Sequence, residues 1–262
     1  IATRTAGDIY IGVVGPVRTG KSTFIKRFME TQVIPNIDNV YRKERARDEL
    51  PQSGSGRTIM TAEPKFVPEE AAQIQLPDGA SFSVRLIDCV GYMIDGAAGH
   101  MEEDAERMVK TPWSEEEIPF TQAAEIGTDK VMRDHSTIGL VITTDGSIGE
   151  LPRSNYLGAE EKTILALKKS GKPFLVLVNS QKPYSEETRQ VAEEIGKKYD
   201  VAVMPVNCEQ LKKEDINRLL EKILYEFPLT AVEFYFPKWM DMLPVDHAVK
   251  QDLLRQIREL MN

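Results

Sequence analysis

The sequence predicts an α/β fold, a mainly parallel sheet flanked by helices, with the start of a further domain at the C-terminus. Three observations carry this reading. Short apolar runs alternate with segments of helical periodicity across residues 138–226. A strand-like run at 9–14 leads through a glycine-containing turn into the helical pattern at 21–30, and Pro228 separates this regular stretch from an aromatic-rich tail. Short apolar strands alternating with amphipathic helices are what a parallel sheet covered on both faces requires.

Residues 9–14 are an apolar run ending at Gly15, and Phe24, Ile25, Phe28 and Met29 then repeat at helical spacing, so strand, loop and helix follow one another. Residues 38–50 mix both charge signs as an exposed helix does. The stretch Pro51-Gln52-Ser53-Gly54-Ser55-Gly56 has turn chemistry without periodicity and reads as a mobile loop. Ile74, Leu76, Phe82, Val84, Leu86 and Ile87 alternate around Pro77-Asp78-Gly79, which predicts a hairpin whose second strand ends at Asp88. Residues 92–135 are too long for a plain connection and read as a lid or as an insertion with structure of its own. Strands at 138–143, 173–178 and 201–206 then alternate with helices at 159–169, 186–199 and 215–226.

Beyond Pro228, residues 229–236 read as a strand and 238–262 as a helix, giving a division into 1–228 and 229–262. The dense apolar group Phe234, Tyr235, Phe236, Trp239, Met240 and Met242 reads as core, with an interface to another domain, a second subunit or lipid as the alternative.

The 33 basic and 41 acidic side chains leave a net charge of -8, which argues against sequence-independent binding to nucleic acid, where clustered cations must displace counterions. Cys89, inside an apolar strand pattern, and Cys208 read as reduced, buried thiols, as expected of a cytosolic chain. No apolar run nears the roughly 20 residues a spanning helix needs. A start at Ile1 and an end at Asn262 within a helical pattern fit a piece of a longer protein.

The chemistry begins at Gly15-Pro16-Val17-Arg18-Thr19-Gly20-Lys21-Ser22, with Thr23 following. Between a strand and a helix this spacing is a phosphate loop, and together with the Asp-x-x-Gly of Asp88 to Gly91 it places the fold among P-loop NTPases of the translation-factor/GTPase class. Backbone N–H groups wrap the phosphates, the helix N-terminus adds a positive dipole end, Lys21 reaches the β- and γ-phosphates and Ser22 binds Mg²⁺. A second carboxylate is expected near the metal. Asp88-Cys89-Val90-Gly91 supplies it, with Gly91 three residues on and able to approach the γ-phosphate. A threonine sensing the γ-phosphate through the metal is expected between these motifs; Thr61 is preferred, then Thr58.

Guanine specificity in this class comes from Asn-Lys-x-Asp after a strand. The corresponding stretch here is Asn179-Ser180-Gln181-Lys182, with no aspartate to accept from the guanine edge. Adenine, or a weakly discriminated base, is therefore expected, and Asn179 either touches the base or orients the loop. Where many GTPases place a water-orienting glutamine stands Tyr92, so water activation must differ. Arg18, inside the loop, is a candidate internal arginine finger, the alternative being a surface ion pair. His100, His135 and His247 lack the spacing of a metal site.

The loop with its flanks, residues 8–26, together with the runs DELPQS from Asp48, TIMTAEPKFVP from Thr58 and HSTIGLVITTDGSIG from His135, resembles the stage IV sporulation protein A family of spore-forming bacteria over nearly the whole chain. The resemblance implies a member of the GTPase class that uses ATP. It implies that hydrolysis drives self-assembly into a static filamentous platform on the mother-cell side of the outer forespore membrane. The spore coat proteins are then built on that platform, and a small amphipathic protein helps to anchor it. It also implies that Lys21 is the phosphate-binding lysine, that Asp88 is the metal-associated aspartate, and that Met60-Thr61-Ala62 holds the sensor. The family carries two threonines there; this chain has Thr61-Ala62. The expectation is a Mg²⁺-dependent ATPase whose catalytic residues are Lys21, Arg18, Thr61 and Asp88, with Ser22, Thr61 and Asp88 at the metal. The alternatives are a regulatory GTPase, or a structural assembly protein that binds nucleotide without hydrolysing it.

Overall fold

Strand β1 (Asp8–Val14) lies inside a six-stranded sheet of a computed structural model that describes residues 8–51, 63–75, 81–97, 101–102, 105–227 and 234–261. After β1 come helix α1 (Lys21–Phe28), which runs on through a wider turn at Met29–Val33, and helix α2 (Val40–Asp48). Strands β2 (Lys65–Gln75) and β3 (Ser81–Asp88) pair antiparallel, as the alternation predicts; the turn at Pro77-Asp78-Gly79 lies outside the described residues. Residues 92–135 do carry structure of their own. Two short antiparallel pairs, β4 (Met101–Glu102) with β5 (Ala105–Glu106) and β6 (Met108–Thr111) with β7 (Ser114–Pro119), precede helix α3 (Phe120–Lys130).

The regular part follows the expected alternation: β8 (Ile138–Thr144), α4 (Leu157–Ser170), β9 (Phe174–Asn179), α5 (Glu186–Tyr199), β10 (Val203–Val206) and α6 (Lys213–Tyr225). The sheet order is β10-β9-β8-β1-β3-β2, with β2 its antiparallel edge. Every residue of β8 and β9 is buried, so these strands read as continuous apolar runs rather than alternating ones.

The two faces of the sheet are covered by different helices. Phe24, Ile25 and Phe28 of α1 and Ile216, Leu219, Leu220 and Ile223 of α6 pack with Ile11, Val13, Leu140, Ile142 and Leu177. On the other face Ile164 and Leu167 of α4 and Ala192, Ile195 and Tyr199 of α5 pack with Val141, Val176 and Val178. From β1 the chain proceeds to β3 on one side and to β8 on the other. The order therefore reverses at β1, and the crevice beyond the strand C-termini there is where ligands bind in such sheets.

A buried ion pair fixes the connection from β8 to α4. Arg153 makes two 3.1 Å bonds to Glu160, which is only 2% exposed, and donates to the Thr144 carbonyl at 2.6 Å; the Thr143 hydroxyl donates to the same carboxylate. Every oxygen of that carboxylate is thus served, which a buried charge needs. Cys89 and Cys208 are free thiols, buried as expected. Burial pushes the Cys89 thiol up to about 11. Among the described residues no helix is long and apolar enough to cross a membrane.

Contacts divide the chain into Ile1–Phe227 and Pro228–Asn262. Three expectations for the second unit require correction. The helix expected at 238–262 is two helices, α7 (Lys238–Asp241) and α8 (Ala248–Met261), because Pro244 has no N–H and its ring excludes a continuous turn. In the described part of the strand expected at 229–236, Phe234–Phe236 is not a strand. Nor does this chain enclose the aromatic group read as core: Tyr235 is 87%, Trp239 56% and Met242 84% exposed, while Phe234 and Phe236 stack with centroids 6.4 Å apart.

Candidate functional site

Residues 15–20 turn back over the end of β1 before α1 begins at Lys21. Gly20 caps the helix at φ 94°, ψ 22°, a left-handed conformation. A Cβ there would sit 2.4 Å from Asn179 Nδ2, so glycine is what lets β9 close on the loop. Asn179 Nδ2 donates to the Thr19 carbonyl at 2.9 Å, and its Oδ1 accepts from Cys208 N–H at 3.0 Å. Since a backbone N–H can only donate, the Cys208 bond fixes which way the amide faces. Both ends of this buried side chain are therefore spent on tying the phosphate loop to the segment after β10. Asn179→Ala is expected to cost about 2 kcal/mol, because two buried backbone groups lose their partner. The reading is a lower urea midpoint at an unchanged m-value.

Lys21 is 5% exposed, and its ammonium donates to the carbonyls of Pro16 at 2.6 Å and Gly15 at 3.3 Å. These bonds fold the loop around the amine. Thr19, also buried, donates its hydroxyl to Pro16 O at 3.0 Å. Thr23 is half-buried in the first turn of α1. Val17 is buried, and its N–H is given to the Tyr92 carbonyl at 2.9 Å. That bond docks the segment after β3 directly on the loop.

Asp88 ends β3 opposite Val13 of β1, which brings its carboxylate to the same crevice. Ser22 Oγ donates to Asp88 Oδ2 at 3.0 Å. The other oxygen, Oδ1, is buried with no hydrogen-bond partner among the described residues. Burial holds the Asp88 carboxyl above its usual value, with the Lys21 charge and the Ser22 bond opposing; burial holds the Lys21 amine below its own, with Cys89 and Asp88 opposing. A hydroxyl and a carboxylate with an unserved oxygen are hard donors. They fit a small divalent cation such as Mg²⁺, which takes one or two protein oxygens and completes its shell from phosphate and water.

Gly91 lies against the loop at φ 93°, where a Cβ would stand 2.0 Å from Gly15 O and 2.7 Å from Lys21 Nζ. Only glycine permits this approach. The next residue, Tyr92, is 2% exposed; its hydroxyl donates to Asp129, and Lys162 Nζ lies 4.6 Å from its ring centroid. Burial, then the Asp129 bond, pushes the phenol well above its usual range, so it remains a neutral donor committed to Asp129. This side chain does not stand in for the missing glutamine.

Arg18 is exposed and sits at φ 63°, a conformation that costs a non-glycine residue of order 1–2 kcal/mol. Burial raises the pKa of Tyr156, and the positive charge of Arg18 opposes that rise. Thr61, Thr58 and His100 lie outside the described residues.

Where the aspartate of a guanine-reading loop would stand, Lys182 is exposed. The loop is held by a different carboxylate, Asp145, which sequence reasoning did not single out. Asp145 accepts from Ser147 N–H at 2.9 Å, Ser147 Oγ at 2.6 Å and Thr188 Oγ1 at 2.7 Å, and Ser147 Oγ in turn accepts Gln181 N–H at 2.9 Å. Burial works against this carboxylate, yet the hydrogen bonds prevail and hold its pKa below the usual value. The signal was present in Asp145-Gly146-Ser147, an aspartate-led turn at a strand end. Thr128, which contacts Gly91, was also missed. Its helix is legible in the spacing of Phe120, Ala123, Ala124, Gly127 and Thr128.

Residues 1–228 match the family model described as stage IV sporulation protein A, ATPase domain. The chain is 52% identical over 259 residues to stage IV sporulation protein A of Clostridioides difficile (strain 630). It is 51% identical over 259 residues to the proteins of that name in Bacillus anthracis and Bacillus subtilis (strain 168). Each alignment covers 99% of this chain and 53% of the relative, so the chain spans about half the length of the relatives it matches. With the family's ATPase domain matched over the stretch that folds into the phosphate-loop sheet, the chain belongs to the stage IV sporulation protein A family and carries its ATPase domain.

Proposed function

We propose that residues 1–228 hydrolyse ATP with Mg²⁺ and that hydrolysis drives self-assembly of a platform beneath the spore coat, on the mother-cell face of the outer forespore membrane. Residues 229–262 open a following domain. The observation that carries the catalytic part is the crevice where Lys21, Ser22 and Asp88 meet at the ends of β1 and β3, with one carboxylate oxygen unserved. Lys21 and the backbone of residues 18–23 bind the phosphates. Ser22, Asp88 and Thr61 hold the cation, which when bound neutralises charge on the β- and γ-phosphates. Gly91 presents its N–H to the γ-phosphate, and Asn179 keeps the loop in register.

The lack of an acidic group at Lys182 supports adenine as the base. Release of the γ-phosphate alters the segments at 38–64 and 92–135 and exposes an assembly surface. Other copies of the chain, coat proteins and a small amphipathic anchoring protein are its partners; contact with the membrane is peripheral, and nucleic acid is not a partner. The test is phosphate release by the full-length protein from ATP and GTP, with and without Mg²⁺, on samples also assayed for polymer by sedimentation. ATP is expected to be preferred and its turnover to depend on Mg²⁺; preference for GTP, or polymer formation indifferent to a nonhydrolysable ATP analogue, overturns the reading.

Arg18 supplies positive charge to the transition state. Because it is exposed, solvent weakens that charge, so Arg18→Ala is expected to lower turnover by roughly ten- to a hundredfold, below the effect of a fully enclosed arginine finger. Nucleotide affinity should change little. Single-turnover hydrolysis beside equilibrium binding separates the two quantities, and unchanged turnover removes Arg18 from the mechanism.

A further inference from the structure

Helix α3 grips two successive residues of the segment after β3. Thr128 Oγ1 accepts the N–H of Gly91 at 3.2 Å, and Asp129 accepts the hydroxyl of Tyr92. Thr128 is fully buried, and its hydroxyl donates to Ala124 O at 2.7 Å, with Cys89 Sγ a second, longer acceptor at 3.7 Å. A hydroxyl has one proton, so towards Gly91 it acts only as an acceptor. Gly91 is buried, and its N–H is thereby satisfied within the protein. Yet the same glycine lies against Gly15 and Lys21, within the phosphate crevice.

We propose that Thr128 is a positioning residue that competes with the γ-phosphate of ATP for the N–H of Gly91. The α3 contact gives way to a phosphate contact when the triphosphate binds and is restored when the γ-phosphate leaves. This rests on the reading above that Gly91 faces the γ-phosphate. The exchange is directional because a charged phosphate oxygen is a stronger acceptor than a neutral hydroxyl. It is also local. The Tyr92 carbonyl holds Val17 N–H at 2.9 Å while the phenol holds Asp129, so the peptide before Tyr92 turns about a fixed neighbour. ADP has no γ-phosphate to compete, so Thr128 acts on the ratio of ATP to ADP affinity.

The sign of the effect separates this role from a structural one. Without the hydroxyl, Gly91 N–H is buried unsatisfied in the nucleotide-free and ADP states but served in the ATP state. Thr128→Val and Thr128→Ala are therefore expected to raise the ATP-to-ADP affinity ratio about tenfold. Thr128→Ser, which keeps the acceptor, should leave it unchanged. Calorimetric titration of the full-length protein and each variant with Mg²⁺ and either ADP or the β,γ-imido analogue of ATP measures the ratio directly. The alanine variant provides the result if valine fails to fold. An unchanged ratio in the valine or alanine variant, or equal loss of both affinities, overturns the exchange while leaving the nucleotide site intact. Failure of the unaltered protein to bind either nucleotide takes down the site reading with it.

Discussion

Lys21→Ala is expected to lower ATP turnover between roughly a hundredfold and a thousandfold while the nucleotide-free fold survives. The amine is buried and points into the crevice formed by its own loop, where the local dielectric is low and a positive charge acts on developing phosphate charge far more strongly than in water. Folding has less at stake. Burial already disfavours the ammonium, holding its pKa below the ordinary value, so alanine removes a charge the interior accommodates at a cost. Against this, the Gly15 and Pro16 carbonyls lose their donor and Asp88 loses its main opposing charge. These changes partly cancel, and the melting temperature should move by only a few degrees. Phosphate release at saturating ATP and a thermal melt on one sample check both halves. Undiminished release would show that the loop lysine is not part of the chemistry.

The residues that place Lys21 were legible in sequence because their constraints are local. A strand period, a glycine at the turn and a helix period fix β1, the loop and α1 without reference to anything distant. The alternation after residue 138 was equally plain, since strands buried on both faces and two-sided helices leave strong signals. What sequence alone did not yield depends on contacts far apart in the chain. Thr128 meets Gly91 across 37 positions, and Asp145 meets Thr188 across 43. Asn179 read equally well as a base contact or a loop anchor; only the position of Cys208 N–H shows that its carbonyl end is already engaged. The second unit misled for a different reason. Its aromatic density has the composition of a core, but composition does not reveal which of those rings this chain leaves exposed. Its helical period runs past Pro244, whose ring nonetheless breaks the helix.

Asp88→Asn should separate stability from activity in the opposite sense to most changes of a buried carboxylate. Turnover with Mg²⁺ and ATP is expected to fall by roughly a hundredfold or more, because an amide is a poor ligand for a hard cation and Oδ1 is the oxygen left unserved. The nucleotide-free protein, however, should melt at a higher temperature. Burial raises the folded-state pKa of Asp88, with Lys21 and Ser22 only partly opposing it. For a carboxyl raised in the folded state, ionisation penalises folding at every pH above the unfolded value, and protonation relieves that penalty as pH falls through the raised pKa. This group therefore favours the fold towards acid, whereas a carboxylate stabilised by ion pairs does the reverse. The amide is uncharged at all pH and removes the penalty. Melting curves of both proteins from pH 7 downwards, without nucleotide, are expected to show the variant ahead at neutral pH and the gap closing as Asp88 protonates. A variant that melts lower at neutral pH would mean that the Asp88 charge stabilises the empty site, and that the unserved oxygen is not held in reserve for a cation.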